Sequence, residues 1–353
     1  MRKIIRSVDL TAQVGSVLLK NPVLTASGTA GHGTDMEGYL DYSALGGFVT
    51  KSLSAMPWSG NPAPRLRETP SGLLNSVGLQ GPGVEEWRRK ELPKLRDSGA
   101  RVVVSIWGNT VEQFERAAQM IAGAEGVIAV EVNVSCPNLE DRSRMFAHSR
   151  SATAEAVHAA SAAEVPLWVK LSPNVADLVE IAAAGLGAGA EALVLVNTVL
   201  GMAIDAEHWT YRLGSGPSGG GLSGPAIRPV ALRAVHDCRQ AFPRGAPGPA
   251  GPPVAIVGVG GVSRGIDAVE LMMAGADAVE VGTASFRDPR APVKVIAELA
   301  RWCKRHRVSH VRELVAGVHL DDSRSTYPAP RRDAEQVQVQ VQVQVPVVER
   351  REP

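Results

Sequence analysis

The chain is poor in cysteine, in aromatic side chains and in net charge, and each shortage excludes something. Its three cysteines, Cys136, Cys238 and Cys303, stand far apart, with no Cys-x-x-Cys spacing and no Cys/His ligand pattern. No disulfide framework, zinc site, iron–sulfur cluster or other metal centre is expected within this chain. Aromatic residues make up 4% of the 353 residues, so Ala, Val, Leu and Ile must fill the core of a chain that is 44% hydrophobic. Lys and Arg number 37 against 36 Asp and Glu, a formal net charge of +1. That balance leaves no global field to attract nucleic acid or an anionic membrane. A membrane span needs about 20 predominantly apolar residues. The longest apolar stretch, Ile181 to Ile204, is broken by Glu191 and Asn197 and is rich in glycine. Met1 to Asp9 is charged and lacks the apolar centre of a secretion signal, so a cytoplasmic location is expected.

What the chain has in quantity is glycine, 36 residues, and short β-rich runs. Strands are predicted near 22–26, 47–51, 102–106, 128–133, 166–171, 191–196, 254–258 and 277–281. Runs such as Ala192-Leu-Val-Leu-Val suit strands covered on both faces, as in a parallel sheet. Helical periodicity fills the gaps at 83–98, 110–124, 151–164, 175–187, 225–241, 263–274 and 291–306. Eight alternating βα units close most simply into an α/β (β/α)₈ TIM barrel, with an open doubly wound sheet as the alternative. Residues 7–20 read as an N-terminal hairpin turning at Gln13-Val-Gly15-Ser16. Two long Pro- and Gly-rich βα loops, 52–82 and 198–224, follow barrel strands and are expected to lie over the C-terminal face as lids. Residues 243–253 read as a surface loop. The barrel is expected to occupy 1–320. Residues 321–353, with a Gln-Val repeat from Gln336 to Val345, form a low-complexity tail.

The seventh strand runs into Gly258-Val-Gly260-Gly261-Val262-Ser263 and the eighth into Val281-Gly282-Thr283-Ala284-Ser285. Either motif alone is an ordinary tight turn. In succession at these strands they match the usual phosphate site of a barrel, where glycine backbone and a helix N-terminus meet an anion.

The fourth strand ends in Glu131-Val-Asn133-Val-Ser135-Cys136-Pro137-Asn138. Strand alternation puts Asn133 and Ser135 on one side, and Pro137 stops the ladder. Cys136 thus stands at a barrel mouth among polar groups, where a thiolate can take a proton or attack an electrophile. Cys238 and Cys303, on predicted helices, read as small core residues. Lys51 ends the second strand and Lys170 interrupts the fifth, in Trp168-Val-Lys170-Leu. A lysine inside an apolar strand either snorkels outward or faces an anion. Asn75, Asn197 and Thr198 add amides and a hydroxyl suited to a ring with alternating carbonyl and N–H groups.

With these residues in hand, the chain resembles the dihydroorotate dehydrogenase family, class 1, and its B branch in the wording of its motifs. The resemblance runs from about residue 8 to about residue 288. It is carried by Asn21-Pro-Val-Leu-Thr-Ala-Ser-Gly28, Thr50-Lys-Ser52, Glu68-Thr-Pro-Ser-Gly-Leu-Leu-Asn75-Ser-Val-Gly-Leu-Gln80 and Asn133-Val-Ser-Cys-Pro-Asn138. Val169-Lys-Leu-Ser-Pro-Asn174, Val196-Asn-Thr-Val-Leu-Gly-Met202, Gly220-Gly-Leu-Ser-Gly-Pro-Ala-Ile227 and the two glycine segments complete it. The resemblance implies an FMN-dependent oxidation of (S)-dihydroorotate to orotate in pyrimidine (UMP) biosynthesis. Carried to matching positions, Cys136 removes the C5 proton while hydride leaves C6 for flavin N5. Lys51, Asn75, Ser76, Val77, Gly78, Leu79, Asn133, Asn197 and Thr198 would hold the substrate. Ser27, Lys51, Ser52, Ser105, Asn133, Lys170, Val196, Gly224, Gly260, Gly261, Gly282 and Thr283 would contact FMN.

The family implies a homodimer, or a heterotetramer with a second subunit carrying FAD and an iron–sulfur cluster that passes electrons to NAD. The cysteine count fits a fumarate-reducing homodimer equally well. Three departures stand out. Ser105 replaces a usual Asn, the loop after Asn138 lacks the usual glycines, and the Gln-Val tail has no counterpart. Competing readings are a related flavin barrel for another dihydropyrimidine, a flavin-free phosphate-binding barrel and a catalytically impaired flavoprotein serving as an interaction subunit.

Overall fold

A computed structural model describes residues 7–135, 137–138 and 144–318. The expected tail from residue 321, and Cys136, lie outside the described residues.

Eight parallel strands form one sheet: β1 (Val23–Thr25), β2 (Phe48–Val49), β3 (Val102–Ile106), β4 (Val127–Asn133), β5 (Leu167–Leu171), β6 (Ala192–Leu195), β7 (Ala255–Val259) and β8 (Ala278–Val281). Their order is β1-β8-β7-β6-β5-β4-β3-β2. A parallel bridge from Leu24 to Gly47 joins the two ends and closes the barrel. Thr25 staples this seam, its Oγ1 accepting from Val49 N at 2.9 Å. All eight strands fall where the apolar runs predict them, because a strand buried on both faces is written as a continuous apolar run.

The helices follow their predicted periodicity, from Val111–Ile121 through Ala291–His306. The span expected as one helix over 83–98 is two, Val84–Lys90 and Leu92–Asp97. Pro93, which has no N–H to continue the ladder, sits in the first turn of the second. The outer core lies between strands and helices and is largely aliphatic.

A second core fills the barrel interior. The hairpin Ala12–Val14 with Val17–Leu19 packs its buried side chains against Leu24, Val49, Val103, Ala129, Trp168, Val194 and Val257. Ser16 in its turn bonds Glu191, just ahead of β6, through both N (2.7 Å) and Oγ (2.6 Å). The hairpin therefore plugs the N-terminal end. Two residues further along the same inward faces the filling changes from apolar to polar, with Ser105, Glu131, Lys170 and Glu280 all buried.

The two long connections are not loose lids. Leu66–Thr69 and Gly72–Asn75 from one pair with Gly220–Ser223 and Val199–Gly201 from the other, in one four-stranded antiparallel sheet. Asn75 registers with Gly221 and Leu73 with Ser223.

Candidate active site

A cavity of about 260 Å³ opens at the C-terminal ends of the barrel strands, beneath this added sheet. Barrel strand ends contribute Ser27, Lys51, Ser52, Asn133, Lys170, Val196, Asn197, Thr198, Gly260, Gly261, Gly282 and Thr283. The added sheet and its flanks contribute Asn75, Ser76, Val77, Gly78, Leu79 and Gly224. The described residues named from sequence thus meet in one place, with one exception.

Ser105 is the exception: it does not line the cavity. It is buried behind the cavity wall, its hydroxyl 2.9 Å from Ser52 Oγ and 2.8 Å from Glu131 Oε1. Its influence passes through Ser52, which also touches Ser27 Oγ at 3.1 Å and accepts from Asn133 Nδ2 at 3.2 Å.

Further bonds set the amides. Asn133 Oδ1 accepts from Asn197 Nδ2 at 3.3 Å and from Ser135 N at 3.1 Å, while Asn197 Oδ1 accepts from Thr198 N at 2.8 Å. Asn75 Nδ2 donates to Gly221 O at 3.0 Å, across the added sheet. The result is a set of oriented carbonyl and N–H groups rather than free rotors.

Lys51 has no carboxylate partner among the described residues. Burial, with the nearby charge of Lys170, pushes its ammonium down to about 8. Lys170 contrasts with it. Burial alone would lower its pKa, but Glu131 and Glu280 outweigh that and hold it above the ordinary lysine value. Ser76 Oγ and Ser135 Oγ are buried on the cavity wall without a hydrogen-bond partner among the described residues. An unpaired ammonium and two unpaired hydroxyls in one cavity fit a polar, anionic occupant, since buried polar groups otherwise find partners.

Two of the cavity-lining glycines leave little room for a side chain. Gly261 has φ +75°, and a Cβ there would stand 2.6 Å from Arg228 Cβ. A Cβ on Gly28 would stand 3.0 Å from Lys51 Cδ. The helix end expected to help hold an anion after β7 is already used. Ser263 N and Arg264 N donate to Asp267, and Gly265 N donates to Glu298. This leaves the Gly260–Gly261 and Gly282–Thr283 turns as the lining of that end.

Sequence reasoning missed Ser223, whose Oγ accepts from Thr283 Oγ1 at 2.8 Å, and the apolar walls Leu66, Leu73 and Phe286. The Pro70-Ser71-Gly72 turn between leucine-bearing segments was the available hairpin signal. It also missed Glu131 and Glu280. Each is a lone charge in a Val-Glu-Val strand segment, the pattern that singled out Lys170.

Among the described residues no group of three or more His, Cys, Asp or Glu could hold a metal ion, and no helix is long and apolar enough to cross a membrane. The family model described as dihydroorotate dehydrogenase matches residues 9–302. The chain is 41% identical over 313 residues to a protein of Citrifermentans bemidjiense named dihydroorotate dehydrogenase B (NAD(+)), catalytic subunit; the match covers 88% of this chain and 99% of that one. Proteins of the same name from Geotalea daltonii and Desulforudis audaxviator are each 42% identical over 313 residues, covering 88% of this chain and 99% and 98% of theirs.

Proposed function

Since this chain belongs to the dihydroorotate dehydrogenase family, we propose that it is an oxidoreductase converting dihydroorotate to orotate in pyrimidine biosynthesis. The family implies a flavin, and we assign it as FMN. The observation that carries the reading is the meeting of Lys51, Asn133, Asn197 and the Ser76 and Ser135 hydroxyls, unpaired among the described residues, in one cavity.

Lys51 supplies positive charge to the substrate carboxylate and to the flavin. Asn75, the segment Ser76 to Leu79, Asn133, Asn197 and Thr198 bind the carboxylate and the ring's carbonyl and N–H groups. Cys136, between Ser135 and Pro137 in the chain, is the base for the C5 proton. Bound FMN supplies the hydride acceptor for C6. Ser27, Ser52, Lys170, Val196, Gly224, Gly260, Gly261, Gly282 and Thr283 hold FMN, with Ser105 acting through Ser52. The added sheet covers the cavity and limits water at the reacting carbons.

Electrons leave for NAD⁺ through a second subunit carrying FAD and an iron–sulfur cluster, assembled on a homodimer of this chain in the cytoplasm. The relatives' printed name, NAD(+) and catalytic subunit, supports the acceptor and the existence of a second subunit. An exposed apolar set on one long connection, Leu200, Met202, Ile204, Tyr211 and Trp209, the last 92% exposed, supports a protein partner.

The test is anaerobic mixing of the purified protein with dihydroorotate. Bleaching of bound FMN is expected, with orotate formed in equal amount. A protein that binds no FMN, or whose flavin is bleached by dihydrouracil and not by dihydroorotate, would refute the reading.

A further inference from the structure

The barrel interior contains a charge arrangement that the reaction above does not require. Lys170 Nζ lies 3.2 Å from Glu280 Oε2 and 3.6 Å from Glu131 Oε2. Both carboxyls are buried and Lys170 nearly so. Two carboxylates around one ammonium leave an excess negative charge in a medium that solvates it poorly. The hydrogen bonds are also one donor short. Glu131 Oε1 accepts from Ser105 and Glu280 Oε2 from Lys170, but Glu131 Oε2 and Glu280 Oε1 are buried without a hydrogen-bond partner among the described residues. One added proton cancels the excess charge and supplies the missing donor.

We propose that Glu280 is a protonated positioning residue at neutral pH, its Oε1–H directed at Glu131 Oε2, and that this proton regulates the charge Lys170 presents to the flavin side of the cavity. The second half rests on the flavin reading above; the protonation itself does not. With the proton in place the three side chains sum to zero. Without it they sum to one negative charge immediately beside the cavity, opposing any added negative charge there.

The surrounding groups agree. Burial raises the Glu280 carboxyl, Lys170 pulls it down and Glu131 raises it again, leaving it pushed up to about 8. The strands flanking it, β1 and β7, carry no ionisable side chain. Among the described residues Lys51 is close enough to Lys170 for their charges to interact, and His32 close enough to Lys51. Lys51 also titrates near 8, so a pH profile of activity cannot separate the two. A carboxyl-specific signal can.

The experiment is an infrared titration of the full chain, as purified, labelled with carboxyl-¹³C glutamate. A carbonyl band of a neutral carboxylic acid, shifted by the label, is expected at pH 7 and should vanish as pH rises through about 8. It should be missing from Glu280→Gln. The label moves glutamate bands and no flavin band, so this arm is independent of cofactor. Absence of the band in the unsubstituted protein would overturn the proposal without recourse to a variant, as would its persistence in Glu280→Gln. The second arm is the flavin midpoint potential between pH 6 and 10. Above pH 8 the preference for the reduced form should fall by up to about tenfold per pH unit beyond that of Glu280→Gln. Equal slopes would overturn the regulatory half. A protein that keeps the infrared band but binds no flavin would overturn the functional reading and leave Glu280 protonated.

Discussion

Ser105 and Glu131 are registered partners on adjacent parallel strands, and Ser105 Oγ donates to Glu131 Oε1 over 2.8 Å. This bond links the polar layer of the barrel to the cavity wall, because Ser105 also contacts Ser52. Replacing Ser105 by Ala leaves a buried carboxylate oxygen without its donor. A loss of about 1–3 kcal/mol is expected, measured by urea denaturation. A variant as stable as the parent would mean that water or a shifted neighbour replaces the bond.

Lys51 gives a pH dependence with a defined sign. Its folded pKa, about 8, lies below its ordinary value, so the folded chain holds this proton less tightly than the unfolded chain. The contribution to stability is unfavourable below pH 8 and is relieved as pH rises toward 10.5. Lys51→Met should therefore stabilise the ligand-free protein at pH 7, by at most ~3 kcal/mol, while weakening retention of flavin and orotate. Thermal melting with and without ligand checks both signs.

The same lysine should make orotate binding fall above pH 8, by up to about tenfold per unit, because an anionic ligand binds the charged form. Glu280 titrates in the same window. Titration of orotate by flavin absorbance should show that Lys51→Met flattens the larger part of the step, whereas Glu280→Gln leaves it.

Cys136→Ala should retain flavin and slow its reduction by dihydroorotate ~10²–10⁴-fold, the usual contribution of a general base. Stopped-flow absorbance under anaerobic conditions is the measurement. An unchanged rate would remove Cys136 from the mechanism.

Gly261→Ala should cost about 1–2 kcal/mol from its left-handed backbone alone. The contact with Arg228 Cβ adds to this. Flavin dissociation, followed by fluorescence, should accelerate in step with the loss of stability.

The barrel was legible in the chain for local reasons. Strands such as β3 and β6 are buried along their whole length, and helices such as Ala291–His306 repeat their apolar face every turn. Neither signal depends on which strand lies beside which. The residues at strand ends, from Lys51 to Thr283, were legible because a parallel barrel delivers all its C-terminal ends to one face.

Other features depended on partners far away in the chain. The short segments Leu66–Thr69 and Val199–Gly201 carry no apolar alternation, so their strands exist only by pairing, as Asn75 does with Gly221. Ser105, named from sequence as a flavin contact, is absent from the cavity lining and meets Ser52 instead, because the height of a side chain within a barrel is set by register rather than by order. By itself the sequence determined the eight βα units and the residue types at their ends. The tertiary structure alone decided that Glu131, Lys170 and Glu280 share one buried space. Charge interactions follow distance through space, and three strands had to close into a barrel before that distance existed.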